Sequence, residues 1–458
     1  MRIASSSIFA ASVFNIDNLQ ANMYDLQNQL STGRRVLTPA DDPIAAAQSL
    51  DLGQGKSLLK QFDVSINNAT SSLGAEENSL KQMVNLLTSI QSSVIQAGSS
   101  AMSPTAENAI SQQLQASYKQ LLSLANGTDQ YGKYLFSGFK GDTQPFAEMA
   151  LGQVNYQGDS GQRMMQVSQT TTVAISDSGA DFLVNVPNGN GYFATGGQPT
   201  NTGTAMITTG MVSDPQAWAN TNNTGDYRIA FHVVPDPTTP TQSMTNYDII
   251  NNDPSSVNYN RSMIDGYDYN TQQPVGGRTD TALNPNSFPV KYTDGGQISL
   301  SQGAGQGYPL IPGWNFGAKV SISGSPADGD AFTIQSSRNQ DVFSVLGDMI
   351  SATQNTKITP ATQAQFQTQI GYTVQYLQNA MKSVLQVQTA VGARMNQLKS
   401  IQGTQSDISL QYSKQISTLM DVDYAKGISD FTQNQMTLNA AMKSFSQVQN
   451  LTLFQYIN

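Results

Sequence analysis

The stretch Leu30-Ser31-Thr32-Gly33-Arg34-Arg35-Val36-Leu37-Thr38-Pro39-Ala40-Asp41-Asp42-Pro43-Ile44-Ala45-Ala46-Ala47 decides how the chain is read. It closes one helix and opens another. Gly33 can take the left-handed conformation that ends a helix. Pro39 and Pro43 interrupt the backbone, and Asp42 is placed to cap a new helix with Pro43 at its first position. Upstream, apolar side chains fall at Phe9, Val13, Ile16, Leu19, Met23, Leu26 and Leu30. From Ile16 the steps alternate three and four, a heptad seam.

Downstream the same spacing continues. Leu73, Leu80, Val84, Leu87 and Val94 form one stripe; Pro104, with Ser103 as its cap, opens a helix carrying Ile110, Leu114, Leu121 and Leu124. The C-terminal flank repeats the pattern. Leu377, Met381, Val384, Val391, Met395 and Leu398 form one seam; Ile408, Tyr412, Ile416 and Leu419 form another; Ile428, Phe431, Leu438, Met442, Phe445 and Val448 complete it. One stripe on residues 9–30 falls short of the entropy cost of ordering that stretch. The chain ends are therefore expected to gain order from neighbouring copies.

Between the helical flanks the composition changes. Residues 141–340 hold 14 of the 18 prolines and 24 of the 37 glycines, which punctuate turns. Short alternating runs at 171–175, 227–234, 288–292, 319–323 and 331–334 read as strands in antiparallel hairpins. The expected fold is α+β: long N- and C-terminal helices packed as a coiled-coil-like rod, with a β-rich central insertion. The insertion also carries the charge. It holds 7 Lys/Arg against 16 Asp/Glu, a balance of −9 that equals the net charge of the whole chain. Such a surface is unsuited to a phosphate backbone, so no nucleic-acid partner is expected.

The 458 residues leave room for two to four domains and contain no cysteine and one histidine, His232. Disulfides, thiolate zinc sites and cysteine nucleophiles are excluded, as is a zinc site needing two histidines. His232 sits opposite Tyr227, Ile229, Phe231 and Val233 on an alternating run and reads as a surface histidine. Asp248, Asp253, Asp265, Asp268 and Asp280 are numerous, but their spacing matches no calcium loop, and the run from Asp265 to Asn270 reads as turn chemistry. Trp218 and Trp314, with Tyr267 and Tyr269, are expected in a core rather than stacked on sugars. Gly303, Gly305 and Gly307 lack the helix and lysine of a phosphate loop. No membrane helix and no cleavable secretory signal are expected.

The junction string resembles the flagellin and hook-associated protein superfamily. So do the C-terminal end, from Asp423-Tyr424-Ala425 through Leu451-Thr452-Leu453-Phe454-Gln455-Tyr456-Ile457-Asn458, and the segment Val391-Gly392-Ala393-Arg394-Met395-Asn396. The start Met1-Arg2-Ile3-Ala4-Ser5-Ser6, the run Tyr134-Leu135-Phe136-Ser137-Gly138 with Thr143-Gln144-Pro145-Phe146, and Asn155-Tyr156-Gln157-Gly158-Asp159 are similar to members at the hook–filament junction rather than to flagellin. Ser325-Pro326-Ala327-Asp328-Gly329-Asp330-Ala331-Phe332 resembles their returning hairpin. The likeness covers roughly residues 1–185 and 320–458.

The resemblance implies a structural subunit of the bacterial flagellum, not an enzyme and without a cofactor or metal, exported by the flagellar type III system to an extracellular position. It implies terminal assembly helices lining an inner tube (1–43 and 420–458), a helical rod domain (44–140 and 341–419) and an outward β-rich insertion of one or two subdomains (141–340). The implied partners are further copies in a ring or tube, hook-associated protein 1, flagellin, and an export chaperone at the C-terminal helix. Phe9, Ile16, Leu19, Met23, Leu26, Leu30, Leu438, Met442, Phe445, Leu451, Leu453 and Phe454 are the expected assembly interface, and Gly33, Pro39, Asp42 and Pro43 the domain junction. A bulk filament subunit and a glycan- or host-binding insertion remain the alternative readings.

Overall fold

The computed structural model describes residues 5–99, 104–236, 241–274, 288–302, 311, 313–354 and 359–454. Seven α-helices lie among them: α1 (Ser5–Thr32), α2 (Pro43–Ala97), α3 (Pro104–Ala125), the single turn α4 (Pro215–Trp218), α5 (Val342–Gln354), α6 (Pro360–Met420) and α7 (Tyr424–Phe454). Long helices thus occupy both ends and a β-rich region lies between them, as the sequence reading expects. Helix α3 begins at Pro104, while Ser103 lies outside the described residues.

The chain forms two compact units: Met1–Asn68, Gln166–Thr172 and Gln397–Asn458 make the first, and Ala69–Met165 with Val173–Asn396 the second. In the second unit the predicted seams become a sealed bundle core. Leu73, Leu80, Leu87 and Val94 of α2 are buried with Ile110, Leu114 and Leu121 of α3 and Leu377, Val384 and Val391 of α6. Val84 is only half-buried, because Met83, Leu86 and Ile90 take the inward positions. Helix α5 closes the bundle, with Phe343 edge-on to Tyr118 at 5.7 Å between ring centroids. A hairpin turn at Gly152 meets α5 at Gly347, where an added Cβ would lie 2.4 Å from the Gly152 Cα.

The five alternating runs all coincide with strands. Val290–Lys291, Ser243–Asn251, Tyr227–Pro235, Ala331–Ser336 and Phe193–Gly197 pair in that order in a five-stranded antiparallel sheet. Ile229 sits opposite both Ile249 and Phe332. A second sheet centres on Asn315–Ser323, flanked by Gln297–Ser301 and Met206–Ile207, and Thr172–Ala174 lies in a small hairpin of its own. The inward faces build one core around Phe193, Tyr227, Ile229, Trp314, Phe316 and Phe332. Trp314 packs at a tilt against Phe316, 5.5 Å between ring centroids, and Trp218 against Phe193 at 5.1 Å. Both tryptophans therefore serve packing, and Tyr267 is buried as well.

The polar candidates resolve into local contacts. His232 Nδ1 lies 2.5 Å from Asp328 Oδ1 at the surface. Asp268 accepts from Arg261 Nε at 3.0 Å and from the Asn270 N–H at 2.9 Å, while Asp265 accepts from the Tyr267 N–H at 3.0 Å, as turn residues do. Asp330, just before the strand Ala331–Ser336, is buried and accepts from the N–H groups of Thr202, Gly203 and Ala327. Asp280 and Gly303, Gly305 and Gly307 lie outside the described residues.

Candidate assembly surface

The first unit is built from the two chain ends, and its organising feature is the junction turn. Helix α1 stops at Thr32 and Gly33 adopts φ +73°, a conformation that favours glycine. An added Cβ there would also meet the Tyr424 hydroxyl at 3.0 Å. Asp42 caps α2 by accepting from the Ala45 N–H at 3.0 Å, with Pro43 as the first helical residue. Beside Pro39, Asp41 accepts from the N–H groups of Thr38 at 2.7 Å and Leu37 at 2.8 Å. The Thr38 N–H above all holds the Asp41 carboxyl below the usual range, and the Ala45 N–H does the same for Asp42.

This turn is fastened to the other end of the chain. The Arg35 N–H donates to the Met420 carbonyl at 2.7 Å, and the Val422 N–H donates to the Gly33 carbonyl at 2.9 Å. Arg35 Nη2 donates to the Leu419 carbonyl at 2.7 Å while its guanidinium also holds Asp42 at 3.2 Å. Val36 is buried beneath the turn. Asp423 then caps α7, accepting from the Ala425 N–H at 3.0 Å. One clasp therefore ends α1 and α6 and starts α2 and α7. Arg35 is absent from the sequence-derived junction set because its main acceptor is a carbonyl 384 positions away.

Helices α1 and α7 pack along each other, which brings the two sets of candidate interface residues together. Ile16, Leu19, Met23, Leu26 and Leu30 are each half-buried, and Leu438 is buried at 5% exposure. Leu30 nests against Gly427, where an added Cβ would come 2.9 Å from its Cδ2. Phe9 and Phe445 meet at 5.1 Å, although Phe9 and Met442 keep more than a third of their surface exposed. Leu451, Leu453 and Phe454 fall at the end of α7, where the side chains lie outside the described residues.

The seam thus holds the pair of ends together with one half of its surface. What remains is apolar too. Phe14 and Tyr24 on α1 are 65% and 66% exposed, and Tyr424, Ile428 and Met436 on α7 are exposed as well. Ile428 belongs to the predicted seam; Phe14, Tyr24 and Met436 lie off it. Farther along the same unit, a groove of about 560 Å³ opens between Asp51 and Leu52 of α2 and Lys414 and Thr418 of α6. Apart from Leu438, the terminal seam positions are half-covered or exposed where those of the second unit are sealed, and Phe14, Tyr24 and Met436 stand bare beside them.

Comparison with known proteins agrees with this anatomy. Residues 6–140 match the bacterial flagellin N-terminal helical region, and residues 374–457 match the bacterial flagellin C-terminal helical region. The chain is 32% identical over 186 residues to flagellar hook-associated protein 3 of Salmonella typhimurium, a match covering 41% of this chain and 58% of that protein. It is 22% identical over 455 residues to the Escherichia coli protein of the same name, covering 99% of each. The solved structure of the flagellar junction protein FlgL from Legionella pneumophila superposes with a TM-score of 0.64 at 27% identity, over 82% of this chain and all of that one.

The fold and its clasped termini define a flagellin-type subunit, a structural component of the flagellum. The chain carries both flagellin terminal helical regions and is similar to flagellar hook-associated protein 3. No helix among the described residues is long and apolar enough to cross a membrane.

Proposed function

We propose that this chain is the subunit that joins the hook to the filament, polymerising through its terminal helices into a short ring or tube. The observation that carries the reading is the half-covered seam of α1 and α7 with Phe14, Tyr24 and Met436 exposed beside it. Exposed apolar faces of this extent on paired helices fit burial by further copies. In this reading 1–43 and 420–458 line the tube, 44–140 and 341–419 form the surrounding helical domain, and 141–340 faces outward with its excess of carboxylates. Hook-associated protein 1 bounds the ring on one side and flagellin on the other. The subunit leaves the cell through the flagellar type III apparatus, with an export chaperone covering α7 until then.

Deletion of the chain tests this directly by electron microscopy. Hooks without filaments, with flagellin shed into the medium, are expected. Normal filaments on the deletion strain contradict the reading. A second reading, a bulk filament subunit, is favoured by the matches to the flagellin terminal regions. It expects the deletion to remove flagellin-like polymer from the medium rather than release it.

A further inference from the structure

The segment Val391-Gly392-Ala393-Arg394-Met395-Asn396 carries a charged side chain that the assembly surface does not use. Arg394 extends from α6 and donates from Nη1 to Asp177 Oδ2 at 2.7 Å and from Nη2 to Asp177 Oδ1 at 2.9 Å. Gln162 Nε2 donates to the same Oδ1 at 2.6 Å. The Asp177 N–H in turn donates to Oε1 of Glu76, on α2, at 3.0 Å. Glu76 is wholly buried, and its Oε2 has no hydrogen-bond partner among the described residues. Asp177 is buried as well.

Two ionised carboxylates facing one guanidinium would leave a net negative charge away from water, which is costly in a protein interior. A second guanidinium stands close by: Arg163 Nε donates to the Ser176 hydroxyl at 3.3 Å, but among the described residues it makes no ion pair with Asp177 or Glu76. Asp181, on the π-helical turn Ala180–Val184, adds a further acid, and burial and the Asp177 charge push it upward too. Desolvation first, then the Asp177 charge, drives Glu76 well above the ordinary carboxylate range, with Arg394 offsetting part of the rise. A proton on Glu76 removes the surplus charge and turns the unpartnered oxygen into a donor beside the Asp177 carboxylate.

We propose that Glu76, Asp177 and Arg394 form a proton-linked latch, in which one proton held on Glu76 lets the strap 176–184 bind both long helices, and its release frees the strap. The strap is the root of the β-rich region. It buries Phe182 and Leu183, with Phe182 edge-on to Phe136 at 5.2 Å. It leads directly into Val186–Pro187, which pairs with Asn339–Gln340, the strand that returns the chain to α5. Loosening the strap therefore loosens both crossings between the helical bundle and the β-rich region.

The test is amide hydrogen exchange of the full-length protein, read at peptides covering 176–184 and corrected for the intrinsic pH dependence of exchange. Between about pH 6 and about pH 9, wild-type exchange at the strap is expected to rise about tenfold, the factor that goes with one unit of titration. Glu76→Gln, neutral at every pH, is expected to show a change of less than about twofold. The infrared band of a neutral carboxylic acid, present in the wild type at neutral pH, should weaken in the same variant. Equal pH dependence in wild type and Glu76→Gln overturns the proposal. Should the variant not fold, strap protection in the wild type that is unchanged across this pH range overturns it on its own.

Discussion

Arg35 Nη2 and the Leu419 carbonyl oxygen lie 2.7 Å apart, joining the turn after α1 to the last turn of α6 across almost the whole sequence. The same guanidinium holds Asp42, so one side chain ties three helix ends together. Because its side chain is 46% exposed, solvent weakens these bonds, and Arg35→Ala is expected to cost about 1 kcal/mol locally. The effect should be confined to the first unit. Faster hydrogen exchange at 33–36 and 419–424, with no change at 73–94, is the expected result.

Gly347 tests the packing of the second unit. Alanine normally favours a helix interior over glycine by about 1 kcal/mol. Here the added Cβ would sit 2.4 Å from the backbone of Gly152, which cannot rotate away. Gly347→Ala is therefore expected to lower stability by about 2 kcal/mol, opposite in sign to helix propensity. Thermal or denaturant unfolding measures it, and a stabilised variant would show that the contact is looser than described.

The β-rich region carries a second buried acid. Asp248 is completely buried and accepts from Ser262 Oγ at 2.7 Å and Tyr269 OH at 2.6 Å. Burial first, then the neighbouring Asp265, pushes it up to about 8 from an ordinary value of 3.8. The folded state thus holds a proton that the unfolded state has released, so stability falls as pH rises between those two values and levels off outside them. Within the window the slope approaches about 1.4 kcal/mol per pH unit. Asp248→Asn should remove that share of the slope and leave the share of Glu76, and parallel pH profiles for the variant and wild type would refute the assignment.

The exposed side chains of α1 separate folding from assembly. Phe14→Ser and Tyr24→Ser touch nothing sealed in the chain itself, so unfolding of the isolated subunit should shift by less than about 0.5 kcal/mol. Incorporation into the axial structure should nevertheless be lost. Removing roughly the last ten residues, with Leu451, Leu453 and Phe454, should likewise block incorporation while the second unit still folds. Loss of the monomer fold in the serine variants would place these residues in an intrachain core instead.

Much of this was legible in the sequence because the signals are local. Gly33, Asp42 and Pro43 act within a few residues of themselves, so their roles at helix ends can be read from order alone. The strands at 227–235 and 331–336 are legible because alternation with period two maps directly onto the two faces of a sheet. The heptad stripes locate the helices but not how completely each is covered. Leu87 and Leu26 occupy equivalent stripe positions, yet the first is sealed and the second half-open. That difference depends on α3 and α5 being present in one unit and not in the other. The Arg35 clasp and the Glu76–Asp177–Arg394 group were hidden for the same reason: each joins residues far apart in sequence with no periodic trace.

Hydrogen exchange along α1 and α7, compared between dilute subunits and subunits assembled into the axial structure, tests the central idea most directly. The account predicts rapid exchange of both helices in dilute solution, slow exchange of 73–94 and 376–391 throughout, and strong protection of α1 and α7 once copies assemble. Terminal helices already fully protected in the lone chain, with no further protection on assembly, would contradict it.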